Sequence, residues 1–225
     1  MTDAIPEGCV FCSTACESMS TYQDAPDDAP SYLLAEIDDF RILSDNAPLA
    51  LGHVLIVPNE HVIATARLSP ERLGAADRVV GQLRDAWRRV FDDPPLVFEH
   101  GTGGHDHWVG CCLDHAHLHL LPVGADIRDG FAEAQELAAG DSLADIHEVG
   151  ERDYILTWTD DAGVQAWSAT HLPSQVCRRL IGDRLDLSIW NWHDTLLLVS
   201  VDEQVRVVEA NREAAMSALT LLESP

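Results

Sequence analysis

The chain has 225 residues, 46% of them hydrophobic and 23% charged, the proportions of a folded globular protein. Its 38 Asp and Glu face 14 Arg and no Lys, a net charge of −24, so repulsion excludes bulk binding to nucleic acid or to an anionic membrane surface. No apolar run approaches the roughly 18 residues of a membrane span, and Met1-Thr2-Asp3-Ala4 lacks the cationic start of a signal peptide; the cytoplasm is the expected location.

In chain order, Cys9 and Cys12 come first, with a spacing that in a reducing compartment suggests metal binding or redox chemistry more than a disulfide. The Ser-, Asp- and Pro-rich stretch 17–31 reads as an exposed loop. Ser31 to Ile37 and Phe40 to Ser44 are expected to form a hairpin, and Gly52 to Pro58, apolar and β-branched, a buried strand. Ser69-Pro70-Glu71 carries a helix cap with Pro in the first turn, and Leu73, Val80, Leu83 and Trp87 continue an apolar face to about Val90. Pro95 to His100 and Asp114 to Pro122 are expected strands on either side of a Gly-rich loop.

After Gly124 the pattern becomes acidic and Ala-rich through about Ile146. A hairpin is expected at Tyr154 to Thr159 and Val164 to Ala169 around Asp160-Asp161-Ala162-Gly163, and helices at Ser174 to Leu185 and roughly Glu203 to Leu222. The expected division is residues 1–124, carrying the chemistry, and residues 125–225, an extension of unassigned role. Trp190 and Trp192 read as core; Arg178 and Arg179 suit either surface ion pairs or a phosphate clamp.

The chemistry converges on His115, His117 and His119, which alternate with Ala116, Leu118 and Leu120. On a strand, this places three imidazoles on one side and the apolar residues in the core. Such a cluster is either a three-His metal site or a nucleophilic His with helpers.

His115-Ala-His117-Leu-His119-Leu-Leu121 resembles the His-x-His-x-His-x-x signature of the histidine triad superfamily. A second block, Asp45-Asn46-Ala47-Pro48-Leu49-Ala50-Leu51-Gly52-His53, resembles the segment upstream, where an Asp precedes the Gly-His strand by eight residues. Phe98-Glu99-His100-Gly101 and Gly110-Cys111-Cys112 locally resemble the galactose uridylyltransferase and diadenosine polyphosphate phosphorylase branches, with His100 in place of Asn and Cys112 in place of Ser.

The resemblance implies an α+β fold: a histidine-triad-like antiparallel meander with one long helix, followed here by a C-terminal α/β extension. It implies a nucleotide substrate and makes His117 the nucleophile that forms a nucleotidyl-histidine intermediate. His119 would assist the leaving group and then water, His53 would pack beside them, and a carbonyl such as that of His119 would hold the far nitrogen of His117. Asp45 resembles the ribose ligand, although an Asp there also caps turns; Asn46, Leu43, His100 and Cys112 would line the nucleotide.

His119 stands where the transferase branches carry Gln, which favours hydrolysis of a nucleoside phosphoramidate, dinucleoside polyphosphate or nucleotidyl sugar over nucleotidyl transfer. A non-enzymatic nucleotide- or metal-binding regulator is the third reading. By the same resemblance, Cys9, Cys12, His61 and His115 would bind a structural zinc ion. Relatives usually dimerise, so a homodimer is an expected assembly unless the C-terminal segment covers that surface.

Overall fold

The computed structural model describes residues 9–12, 31–104 and 115–222. Its strands are β1 (Leu33–Ile37), β2 (Phe40–Ser44), β3 (Val54–Pro58), β4 (Pro95–Gly101), β5 (Leu118–Pro122), β6 (Glu136–Gly140), β7 (Tyr154–Thr159) and β8 (Gly163–Ser168). They form one eight-stranded sheet in the order β1-β2-β3-β5-β4-β7-β8-β6, and every pairing is antiparallel. The protein is thus α+β, as its sequence implies. The sheet passes without a break from β4 to β7, across residue 124.

The helices are α1 (Pro70–Val90), α2 (Val176–Arg184), α3 (Trp192–Leu198) and α4 (Val201–Leu219). Ser69 caps α1 by accepting from the Arg72 amide, and Pro70 occupies the first turn, where a missing N–H costs nothing. The expected stripe Leu73, Val80, Leu83 and Trp87 is buried. It packs on Ile42, Ile56, Leu118, Leu120, Val97 and Leu156, and Ala215, Ala218 and Leu219 of α4 join the same core.

Strand residues of the opposite parity, Leu96, Phe98, Leu121 and Ile155, form a second core with Val176, Cys177 and Ile181 of α2. The sheet is therefore covered on both faces, and residues beyond 125 contribute to both coverings.

Two elements differ from expectation. The acidic, Ala-rich stretch contains β6, paired to β8 with a register irregularity between Glu136 and Ala138; pairing with an existing edge supplies the stability that Ala, Glu and Gly do not supply intrinsically. The strand expected from Asp114 starts only at Leu118, so His115 and His117 lie on the irregular chain leading into it. There the Ala116 amide donates to the Val62 carbonyl instead of to a sheet neighbour.

Candidate active site and its companion cluster

His119 is the one member of the triad inside the sheet. It lies opposite Leu55 on β3 and Phe98 on β4, and its ring stacks on Phe98 at 4.3 Å between centroids and 8° between planes. The His117 ring is 5.1 Å from that of His119 and 5.3 Å from Phe11. His117 Nδ1 is 2.8 Å from the His115 carbonyl. This corrects the expectation that the His119 carbonyl holds the ring: with the chain irregular at 115–117, the carbonyl two residues earlier reaches it. A carbonyl only accepts, so Nδ1 carries the proton and the neutral ring has its lone pair on Nε2.

Behind His119 lies a chain of hydrogen bonds with a defined direction. The Leu49 amide donates to His53 Nδ1 at 3.2 Å. Neutral His53 therefore carries its proton on Nε2 and donates to His119 Nδ1 at 3.0 Å, which leaves the His119 proton on Nε2. Burial pushes His53 down to about 4, and the nearby Arg178 adds to that while Asp45 opposes it. Burial, then His117, His53 and Arg178, push His119 well below the ordinary value. Both rings are neutral near pH 7.

Asp45 sits beneath this pair, 3% exposed. Its Oδ1 accepts from the Ala47 amide at 2.7 Å, the turn-capping bond that an Asp before Asn46 can form. Its Oδ2 is 3.6 Å from both His53 Nε2 and His119 Nδ1 and 3.2 Å from Arg178 Nη1. Burial alone would raise this carboxyl, yet His53, Arg178, the Ala47 amide and His117 together hold it below the usual carboxylate value.

Two residues from beyond 125 complete the surroundings, and neither is apparent as a partner from sequence. Arg178 reaches from α2 to Asp45, the Ala47 carbonyl and the Trp190 carbonyl. Asn211 of α4, fully buried, acts from the other face. Its Oδ1 accepts from the Gly52 and His53 amides at 2.8 and 3.0 Å, and its Nδ2 donates to Ser44 Oγ and the His53 carbonyl, both at 2.8 Å. Gly52 has φ +86°, and a Cβ there would lie 2.4 Å from the Phe91 ring; only glycine lets the turn before His53 pass so close.

The other expected residues are distributed around this centre. His100 on β4 is half-buried and pushed down to about 4, chiefly by burial; its Nε2 has no hydrogen-bond partner among the described residues. Leu43 packs with Phe11 and Val57 in a small apolar cluster. Asn46 is half-buried beside Asp45. Cys112, with Cys16, Cys111 and the stretch His105-Asp106-His107-Trp108, lies outside the described residues. Arg179 is exposed; Trp190 packs at the margin of the second core, whereas Trp192 stacks at 3.7 Å on His193 and does not enter it. α3 has no buried residue to carry Trp192 inward.

A companion cluster adjoins the triad through His115. Cys9, Cys12, His61 and His115 place their ligand atoms within 4.8 Å of one another. Cys9 Sγ and Cys12 Sγ are each 3.5 Å from His115 Nδ1, Cys12 Sγ is 3.2 Å from His61 Nδ1, and the two Nδ1 atoms are 3.3 Å apart. A tetrahedral ion bound at about 2.0–2.3 Å separates its ligands by about 3.3–3.8 Å, which these distances nearly match. His115 Nε2 lies 2.9 Å from the Pro58 carbonyl; donating there, it turns a lone pair on Nδ1 toward the cluster centre. The residues fit a metal ion.

The HIT domain family model matches residues 27–125. Among solved structures, the chain is similar to a hypothetical histidine triad nucleotide-binding protein from Sulfolobus tokodaii strain 7, at 21% identity over 51% of this chain and 68% of that one, with a TM-score of 0.37. It is also similar to a Zn-bound histidine triad family protein from Mycobacterium smegmatis, at 24% identity over 51% and 74%, TM-score 0.36. A third is a HIT family hydrolase from Clostridium thermocellum, at 21% identity over 54% and 94%, TM-score 0.35. No curated protein matches. The paired signatures around His53 and His115-His117-His119 thus fall within residues 27–125, the span that the HIT domain model matches, somewhat under half of the chain.

Proposed function

We propose that the protein is a nucleotide hydrolase in which His117 attacks a phosphorus atom and forms a nucleotidyl-histidine intermediate. The observation that carries this reading is the His117 Nδ1 contact to the His115 carbonyl at 2.8 Å, which fixes the tautomer whose Nε2 lone pair can attack. In the first step the Nε2–P bond forms as the bond to the leaving group breaks. In the second, water attacks phosphorus, the N–P bond breaks and the water proton is released. The His119 Nε2–H is suited to donate a hydrogen bond to a phosphoryl oxygen in both steps, where charge develops.

Water as the final acceptor rests on His119 standing where transferases of the family carry Gln. The likeness to the uridylyltransferase and phosphorylase branches rests on sequence motifs alone. In the same reading, Cys9, Cys12, His61 and His115 hold a structural zinc ion. The ion would supply a cross-link between the N-terminal turn and the chain entering β5, away from the reacting atoms.

Phosphorus NMR of the purified protein with nucleoside phosphoramidates, dinucleoside polyphosphates and nucleotidyl sugars tests the reading. Free nucleoside monophosphate formed in water alone supports it. Release only when phosphate or a sugar phosphate is added would replace hydrolysis by transfer, and tight nucleotide binding without turnover would favour a regulator.

A further inference from the structure

Arg178 lies outside the span that the HIT model matches. It is 5% exposed, on a helix whose apolar residues Val176, Cys177 and Ile181 are seated in the second core, so it is anchored from both sides. From there it makes three contacts: one with Asp45 and two with backbone carbonyls of separate segments, Ala47 and Trp190. A buried guanidinium is usually retained only where its charge is matched. The match here is a carboxylate that also faces two imidazoles.

We infer that Arg178 is a positioning residue of the active site, holding the Asp45 carboxylate so that it does not draw a proton onto His53 or His119. The inference rests on the reading of His119 as a hydrogen-bond donor through Nε2. The geometry gives its logic. Asp45 Oδ2 has three neighbours, Arg178, His53 and His119, at 3.2, 3.6 and 3.6 Å. A guanidinium stays charged across the working pH range, so it compensates the buried carboxylate whatever the state of the rings.

Without it, the carboxylate would find its counter-charge by protonating one imidazole. A proton on His119 Nδ1 would then point at Asp45 and break the bond accepted from His53 Nε2. The directed chain from the Leu49 amide to His119 would be lost.

The charged or titratable groups that bear on this pair are Asp45 from the turn after β2, His53 before β3, His117 before β5 and Arg178 from α2. Arg178 opposes protonation of both rings.

The test reads the rings directly and needs no substrate: histidine side-chain nitrogen NMR of the full chain, titrated with pH. In the wild type, His53 and His119 are expected neutral at pH 6, both protonated on Nε2. In Arg178→Met, the pair is expected to titrate about one to three pH units higher and His119 to gain a proton on Nδ1, the scale on which an adjacent opposite charge acts. Arg178→Lys is expected to restore most of the wild-type behaviour. Asp45→Asn, with Arg178 in place, is expected to shift the pair down instead, and it serves if Arg178→Met does not fold.

Unchanged ring titrations and tautomers in folded Arg178→Met, or a pair indifferent to Asp45→Asn, would overturn the inference while leaving the hydrolase reading intact. A failure of the hydrolase reading would instead appear as absent turnover in the wild type with these ring states as expected.

Discussion

Two polar clusters meet at the triad, built from the same kinds of residue and organised oppositely. In the Cys9–Cys12–His61–His115 group, four ligand atoms face one another, while the nearby Arg41 donates to the Phe11 backbone carbonyl. In the Asp45–His53–His119 group, whose ligand atoms are just as close, every acceptor already has a donor: Ala47 and Arg178 for Asp45, Leu49 for His53, and His53 for His119. Proximity alone would nominate both for a metal. What separates them is whether lone pairs or protons point inward, and in the second group Arg178 already supplies the positive charge beside the Asp45 carboxylate.

The largest effect expected from this contrast concerns the first cluster. Metal analysis should find about one zinc per chain, and Cys9→Ser with Cys12→Ser should remove it and lower the melting temperature by about 10 °C or more. Chelation of the wild type should reproduce the shift. Unchanged metal content and melting would break the contrast at its root.

His117 lies between the two groups, tied to one through the His115 carbonyl and to the other through the His119 ring. Replacing it by Asn should abolish the covalent adduct and reduce turnover by about three orders of magnitude or more, since the two-step route is lost. Rapid quench with a labelled nucleotide, avoiding prolonged acid, checks both.

The closed cluster predicts a direction in pH. His53 and His100 are held near 4 in the fold against an ordinary 6.5, so between those values the unfolded chain binds protons that the folded chain refuses. Stability is then complete above about pH 6.5 and is lost as pH falls toward 4, by up to about 3 kcal/mol for the fully buried His53 ring and by less for half-buried His100. Glu99, raised by burial, acts in the opposite sense, losing stability as pH rises past its ordinary value. Denaturant midpoints across pH 4 to 7 measure the sum, and a midpoint that does not fall on acidification would contradict the buried neutral rings.

The smallest expected effect is at Asn211. Asn211→Ala removes the acceptor of the Gly52 amide and one of the two acceptors of the His53 amide, at a cost of about 2 kcal/mol. It should also lower kcat through the displaced His53, whereas a loss of stability with kcat unchanged would limit Asn211 to holding α4.

The first five strands and α1 were readable because their signals are local: alternation at Phe40 to Ser44, a capped apolar stripe from Ser69 to Val90. The triad's shared face was readable from period-two spacing; His53, and His61 and His115 beside Cys9 and Cys12, were nominated by the resemblance, and the structure brings those four ligand atoms together. Arg178 and Asn211 were not readable. Each meets its partner more than 130 residues away in sequence, and nothing in a local pattern separates a buried Arg on α2 from its exposed neighbour Arg179. The strand β6 was missed for a related reason: its pairing partner, not its Ala-rich composition, makes it a strand. The shortened β5 escaped because period-two alternation from His115 to Leu121 continues through residues that do not pair.

The place of β4 in the sheet has a consequence in time. One side of β4 pairs with β5, but its other side pairs with β7, which begins only at Tyr154. On a ribosome adding about 5–20 residues per second, that edge stays open for several seconds after β4 emerges. An unpaired edge is a template for any passing strand. The newly made portion that the HIT model matches therefore depends on later parts of the same polypeptide to close its sheet, and it meets Arg178 and Asn211 in the same later phase. In the proposed reading, the site is complete only once α2 and α4 have been made, well after His117 itself.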